Sequence, residues 1–521
     1  MNPAKGDAVP IEDEAIGFAE NHRPGHLVAC GLLTLVFLLG ISIRLFKLTN
    51  PPLDFFATRQ LRSALIARSV FYRLNQDADP SKSANAIALA KLEVYEPPIL
   101  ENLVGFADYV VGSENAWMGR VFNAFFWAVG GLALYLIGKR FTSYWAVLIG
   151  LCFYFFLPYS VTASRSFQPE PWMAMWILLS AWALLRWSEQ KTWKRAIIAG
   201  VLCGIAVLIK VVAAFFIAGM LACLALAVFG LRRVWRSLHV WAMGGLALVP
   251  TLAYYLIFQT ERSTSFMGFW TVALSHLILT SNFYADWLAM VKGLMGLTTF
   301  MAAILGVFLA KREVRPVLIG LWAGYGIYGL TFPYQYTTHE YYHLTLVPIV
   351  ALSVLPVLDA FFKVLRNQPR VWKAGATAVF LFACFYSLYV ARSQIVAADY
   401  SNEPKSWQRV GEALPAGKPF VALTADYGMR LSYYGWRSQT AAWPSTADLK
   451  LYSLAGDEAL SYDTYFAEIT AGKDYFLVTA YSELEAQPQL KALLEKYSVF
   501  EQGNGFTIYD LTQPLDSKGS N

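Results

Sequence analysis

Apolar runs close to the length of a bilayer crossing recur along this chain, and no other feature narrows its folds as much. A helix needs ~20 residues to cross a hydrocarbon core of ~30 Å. Eleven stretches approach that length: 27–46, 121–138, 144–161, 171–187, 196–209, 211–229, 238–258, 289–310, 317–332, 341–362 and 374–391. Composition points the same way, since 56% of the 521 residues are hydrophobic and 15% charged, against roughly 25% charged in soluble proteins. The chain reads as an α-helical polytopic membrane protein. Stretch 196–229 is broken only by Lys210. As one helix it would run roughly 50 Å, far beyond the core, so it reads as two short helices meeting at that lysine. Segment 1–26 lacks the basic region and small-residue cleavage site of a signal peptide. It reads as a cytoplasmic tail, with 27–46 a retained span.

The basic residues assign the two sides. Alternate short connections carry Lys139-Arg140, then Arg186 to Arg195, Arg232 to Arg236, Lys311 to Arg315, and Lys363 to Lys373. The other short connections hold little positive charge apart from Arg165, Lys210 and Arg262. The positive-inside rule puts the first set in the cytoplasm. Asp54, Glu96, Arg165, Glu170, Lys210, His339, Glu340 and everything after Arg392 then face out. The net charge of +6 is explained by this topology, and it carries no sign of a nucleic-acid partner. The five cysteines sit in apolar runs without metal-ligand spacing, as packing residues do.

The outer segments differ in kind. Connection 47–119 is long and contains amphipathic patterning: Leu61, Leu65, Ala67 and Phe71 share a face, with Arg62, Arg68 and Arg73 interspersed. Such a helix can lie in the membrane interface. Pro80 interrupts it, and Pro97-Pro98 introduce another short helix. Beyond Arg392 the composition becomes that of a soluble domain. Stretches 419–424, 475–480 and 505–509 read as strands and 488–497 as a helix, forming a small extracytoplasmic α/β domain with no phosphate loop, nucleophile elbow or metal cluster.

Asp54-Phe55-Phe56-Ala57-Thr58-Arg59-Gln60 places an acid, a base and an amide just outside the first span. Arg165-Ser166-Phe167-Gln168-Pro169-Glu170-Pro171 places a second acid at the outer end of another helix. Attack of a hydroxyl on a sugar carbon needs a carboxylate to accept the proton. A departing phosphate needs cations, and Arg59, Arg165 and Lys210 are available. Acids and bases at helix ends also occur as ordinary caps and ion pairs, so spacing alone leaves both readings open.

Four segments together resemble a known family. They are Asp54 to Arg68, Tyr95-Glu96-Pro97-Pro98, Arg165 to Pro171, and His339-Glu340-Tyr341-Tyr342 followed by Leu344 and Pro348. In this order and on this side, they are similar to the GT-C membrane glycosyltransferases. More narrowly, they resemble the group of protein O-mannosyltransferases, lipid A aminoarabinose transferases and galacturonosyl transferases. The resemblance runs from about Asp54 to Pro356. It implies that the transmembrane part, 27–391, is the catalytic domain, with a polyprenyl-phosphate sugar donor and an inverting transfer, while the extracytoplasmic domain over 392–521 rests on composition. Asp54 takes the position of the first-loop acid, as base or cation ligand, and Glu170 that of the second acid. Lys210 takes the place of a lysine on the donor phosphate. The substrate-binding set implied is Arg59, Gln60, Glu96, Arg165, Lys210, His339, Glu340 and Tyr342. Glu340 stands where the family commonly has Asp, and Glu96 where aminoarabinose transferases have Lys, which reverses the charge there. No metal ligand set is assigned, although Asp54, Glu96 and Glu170 could hold a divalent cation.

The expected partners are the bilayer, the lipid-linked donor and an envelope glycan, lipid or protein acceptor, in the inner (plasma) membrane of the cell. No motif selects the sugar or the acceptor. The rival class is a transporter or flippase of a lipid-linked sugar, in which internal repeats and mid-membrane charges are common. No repeat is evident here, and the charged candidates lie at outer helix ends.

Overall fold

The computed structural model describes residues 25–91, 96–258, 268–456 and 460–515. Tyr95, Arg262 and the tail before residue 25 lie outside the described residues. All eleven apolar runs lie on helices, and the chain is a multi-pass membrane protein. Among the described residues, five helices are individually long and apolar enough to span: His26–Leu45, Met118–Gly138, Leu238–Phe258, Glu340–Arg366 and Arg370–Ala397. Two bent pairs raise the number to seven. Glu170–Glu189, Trp193–Ile209, Ala213–Phe229 and Arg315–Thr331 are shorter or end in charge.

The bent pairs correct two straight spans expected from sequence. Run 144–161 is Tyr144–Phe156 followed by Pro158–Arg165 at 58°. Pro158 has no N–H for the carbonyl of Tyr154, and that oxygen instead accepts from Ser160 Oγ (2.6 Å) and Trp127 Nε1 (3.3 Å). The neighbouring Phe155 carbonyl accepts from Arg44 Nη1 at 2.9 Å. Arg44, fully buried in the first helix, also donates to Ser164 and to the Gly40 carbonyl. An arginine inside a span is costly unless its donors are matched, and the broken helix supplies the acceptors. Run 289–310 belongs to Ser281–Met295 and Leu297–Leu309, which meet at 97°. Gly296 between them has φ +80°, a left-handed value that glycine adopts without a Cβ clash.

Close helix crossings need small residues. A Cβ on Gly320 of Arg315–Thr331 would run into the Gly219 carbonyl of Ala213–Phe229, and the reverse also holds. As expected, Lys210 separates two helices, ending Trp193–Ile209 in an extended conformation.

The first long connection contains three helices, Ala57–Leu74, Pro80–Leu89 and Ile99–Val111. Pro80 starts a new helix capped by Asp79, which accepts from the Lys82 N–H. The C-terminal part is a five-stranded sheet in the order β2-β1-β3-β5-β4. Its strands are β1 (Phe420–Leu423), β2 (Ala441–Ala442), β3 (Tyr475–Val478), β4 (Tyr497–Gly503) and β5 (Phe506–Pro514). β1 pairs in parallel with β2 and β3, and the rest are antiparallel. Phe420 and Ala422 pack on one face, Val421 and Leu423 on the other. Strands β2 and β4 were not expected from sequence. β4 joins β5 through the two-residue turn Asn504-Gly505, in which Gly505 takes a φ of +87° that glycine adopts without a Cβ clash.

Candidate active site

The helix Ala57–Leu74 starts at Phe56, whose φ of +47° turns the chain sharply out of the Pro51-Pro52 loop. That turn sends Arg59 and Gln60 to different neighbours, and the expected site residues divide between them.

Arg59 joins a cluster of four charges. Its Nη2 lies 2.8 Å from Glu170 Oε1 and 3.8 Å from Glu96 Oε2. Lys210 Nζ lies 2.5 Å from Glu170 Oε1 and 3.0 Å from Glu96 Oε1. The Tyr341 ring covers both cations, 4.4 Å from the Arg59 guanidinium and 5.9 Å from the Lys210 ammonium. Local folding explains each placement. Glu170 is the first residue of Glu170–Glu189, where the helix dipole favours an anion. Lys210 projects from the break between two short helices, and Glu96 precedes the Pro pair. Glu170 and Lys210 are buried, whereas Arg59 and Glu96 are partly open.

Burial opposes charge on both of the partly open groups, and the neighbours overcome it. Lys210 and Arg59 hold the Glu96 carboxyl below its ordinary pKa. Glu170 and Glu96 hold the Arg59 guanidinium well above its own. Glu170 Oε2 and Arg59 Nε remain buried without a hydrogen-bond partner among the described residues. Native proteins seldom leave such atoms unmatched, so the cluster has polar capacity to offer a ligand. Beside it is a cavity of about 40 Å³ lined by Arg59, Arg62, Ser63, Glu96, Glu101 and Trp172. Burial raises the pKa of Glu101, which accepts from Ser63 Oγ at 2.9 Å.

Asp54 belongs to a second group. Its Oδ1 accepts from Arg120 Nη2 at 2.7 Å and Gln60 Nε2 at 3.2 Å, and its Oδ2 faces Arg165 Nη1 at 3.9 Å. Gln60 is buried, donating also to the Phe55 carbonyl (2.8 Å) and accepting from the Phe167 N–H (3.0 Å). Its amide is thus engaged within the protein, tying Asp54 to the segment that carries Glu170. Asp54 opens on a second cavity of about 260 Å³, lined also by Phe55, Thr162, Glu340 and Gln394.

His339 stacks on Phe56 with ring centroids 5.7 Å apart. Burial and the charge of Arg59 push its pKa down to about 4, so it is neutral near pH 7. Tyr342 packs beside Tyr341 and Tyr328. Of Asp54, Glu96 and Glu170, the carboxylates that could have shared a cation, only Glu96 and Glu170 come together, on Arg59 and Lys210. Asp54 lies in the other group, Glu96 and Glu170 each face two cations, and no cluster of three His, Cys, Asp or Glu suited to a metal occurs among the described residues. The donor set does not fit a divalent ion.

Two residues escaped the sequence reading. Arg120 is the nearest partner of Asp54, and its signal was a cation at the start of run 121–138. Tyr341, rather than Tyr342, covers the cations; two adjacent tyrosines give no sequence cue to which one turns inward.

The dolichyl-phosphate-mannose-protein mannosyltransferase family model matches residues 95–256, less than a third of the chain. No curated protein matches it. Among solved structures, ArnT from Cupriavidus metallidurans bound to undecaprenyl phosphate superposes with a TM-score of 0.57 at 15% identity, covering 92% of this chain and 98% of that one. Its apo state gives 0.59 at 13%, with the same coverage. The archaeal oligosaccharyltransferase AglB from Archaeoglobus fulgidus, in complex with an inhibitory peptide and a dolichol-phosphate, gives 0.56 at 15%, covering 92% and 74%. Superposing over 92% of its length on these proteins, the chain has the GT-C fold of membrane glycosyltransferases.

Proposed function

We propose that this chain is an inverting glycosyltransferase that moves a sugar from a polyprenyl phosphate to an acceptor hydroxyl at the extracytoplasmic face of the plasma (inner) membrane. The observation that carries the reading is the Arg59–Lys210–Glu96–Glu170 cluster, with two cations held in place by carboxylates at the outer ends of helices. A donor with its tail in lipid presents its phosphate at that depth. Lys210 and Arg59 bind the phosphate through charge-assisted hydrogen bonds and stabilise it as it leaves. Glu96 and Glu170 keep both cations charged and aimed. On the acceptor side Asp54 takes the hydroxyl proton, its orientation set by Arg120 and Gln60. The acceptor oxygen bonds to the anomeric carbon as the carbon–phosphate oxygen bond breaks. Polyprenyl phosphate departs and the anomeric centre inverts. His339, Glu340, Tyr342 and Arg165 shape the surroundings of the two groups. The ArnT and AglB structures hold a lipid phosphate by their own descriptions, which supports this donor class, and the basic cytoplasmic connections support the orientation.

The test uses purified protein with a labelled polyprenyl-phosphate sugar and an extract of envelope lipids and glycans as acceptors. Release of polyprenyl phosphate with label moving to an acceptor is expected. Movement of intact donor between vesicle leaflets without release would establish the transporter reading instead.

A further inference from the structure

The C-terminal sheet domain reaches back to the Arg59 end of the Ala57–Leu74 helix. Asp426 Oδ1 accepts from Thr58 Oγ1 at 3.3 Å, one residue before Arg59. That helix has no side-chain cap and no acidic residue in its first turn, so Asp426 brings a carboxylate to an end that lacks its own. Asp426 is itself held by Arg430, which also donates to Glu403 at 3.0 Å. Glu403 opens the helix that follows the last membrane helix. Lower on the same outer helix, buried Arg68 donates to the Tyr433 carbonyl at 2.7 Å and lies between the Tyr433 and Trp436 rings, 3.9 and 4.3 Å away. Tyr433 enters the apolar core of the outer connection with Leu61 and Leu65.

Backbone conformation marks the same contact. Among the described residues five non-glycine residues have positive φ: Lys47, Phe56, Asp426, Tyr427 and Trp436. Four of them flank this interface. Such conformations persist where the surroundings over-determine them, and they cluster at functional sites.

We infer that Asp426 and Thr58 are positioning residues, through which the C-terminal domain sets the first turn of the Ala57–Leu74 helix and so the aim of Arg59 at the donor phosphate. The inference rests on the function proposed above, and its test has an arm that does not. In the full-length protein, Asp426→Ala and Thr58→Val are each expected to raise the KM for the polyprenyl-phosphate sugar about 3- to 10-fold, the worth of one hydrogen bond, with kcat changed less than twofold. Their combination should cost no more than Asp426→Ala alone, because that variant already removes the contact that Thr58→Val would break. Thr58→Ser should restore wild-type KM. Independently of turnover, hydrogen exchange of amides 57–62 should quicken several-fold in Asp426→Ala while amides of the Glu170–Glu189 helix stay unchanged. Additive KM effects, an equal fall in kcat, or unchanged exchange at 57–62 would overturn the inference. Absence of transfer by the wild type would overturn the proposed function and leave the exchange result to decide this one.

Discussion

Replacing Lys210 with methionine probes the charge cluster most directly. The ammonium stands 2.5 Å from Glu170 and 3.0 Å from Glu96, and with Arg59 the four charges cancel. Lys210→Met leaves two carboxylates on one guanidinium. Removing one partner of a buried pair costs about 3–5 kcal/mol. Arg59 still lies 2.8 Å from Glu170 and Glu96 keeps some solvent, so the expected loss of stability is about 3 kcal/mol. In the proposed role of Lys210, the donor phosphate separately loses one charge-assisted hydrogen bond, about 1.5–3 kcal/mol, or roughly 10- to 100-fold in affinity at 1.4 kcal/mol per decade. The two effects can be parted by adding Glu170→Gln, which restores neutrality. Thermal unfolding in detergent should then recover most of the stability, while titration with polyprenyl phosphate should still show the weakened binding. If Lys210→Met bound the lipid phosphate within twofold of wild type, the phosphate role would be refuted. If the double variant unfolded as readily as the single one, the ion-pair reasoning would fail.

Other outcomes follow from the same geometry. Asp54→Asn keeps a side chain that can accept from Arg120 and Gln60 but cannot take a proton, so transfer should fall at least ~100-fold; full activity in a turnover assay would remove Asp54 as the base. His339 has a pKa lowered to about 4 in the folded chain, so the unfolded state binds the extra proton first as pH falls. The stability this contributes is present above the ordinary histidine pKa and is lost between about pH 6.5 and 4, up to about 3 kcal/mol. His339→Gln should flatten unfolding free energy against pH across that window, and an unchanged slope would count against the assignment. Gly320→Ala should destabilise by about 1–3 kcal/mol, since its new methyl meets backbone rather than a side chain that can turn aside. A thermal midpoint equal to wild type would show that this crossing is looser than described.

Much of the architecture was legible in the order of residues. Apolar length and the alternation of basic connections need no tertiary knowledge, because the bilayer acts on each segment separately. Thus the eleven helical runs, the break at Lys210 and the helices of the outer connection appear where patterning placed them. The C-terminal strands β1, β3 and β5 were readable as apolar runs, whereas β2 has two residues and β4 is largely exposed, and neither leaves a hydrophobic signature. Proline and glycine bends were hidden for a different reason. Pro158 and Gly296 lie within or beside runs whose hydropathy is continuous, and direction depends on which neighbour can satisfy the freed carbonyls.

The site divides along the same line. Sequence alone identified Asp54, Arg59, Glu96, Glu170, Lys210 and His339 as polar groups beside apolar runs, because charge there is costly enough to stand out. Their partnerships were beyond it. Ion pairing is decided by distances of a few ångströms between residues far apart in sequence, such as Lys210 and Glu96 at 3.0 Å. Only the tertiary structure could put Glu96 and Glu170 on shared cations, give Asp54 to Arg120 in a separate cavity, and bring Asp426 from the far end of the chain against Thr58. The apolar helices follow from local transfer energies, which add along the chain. The site follows from packing, which does not.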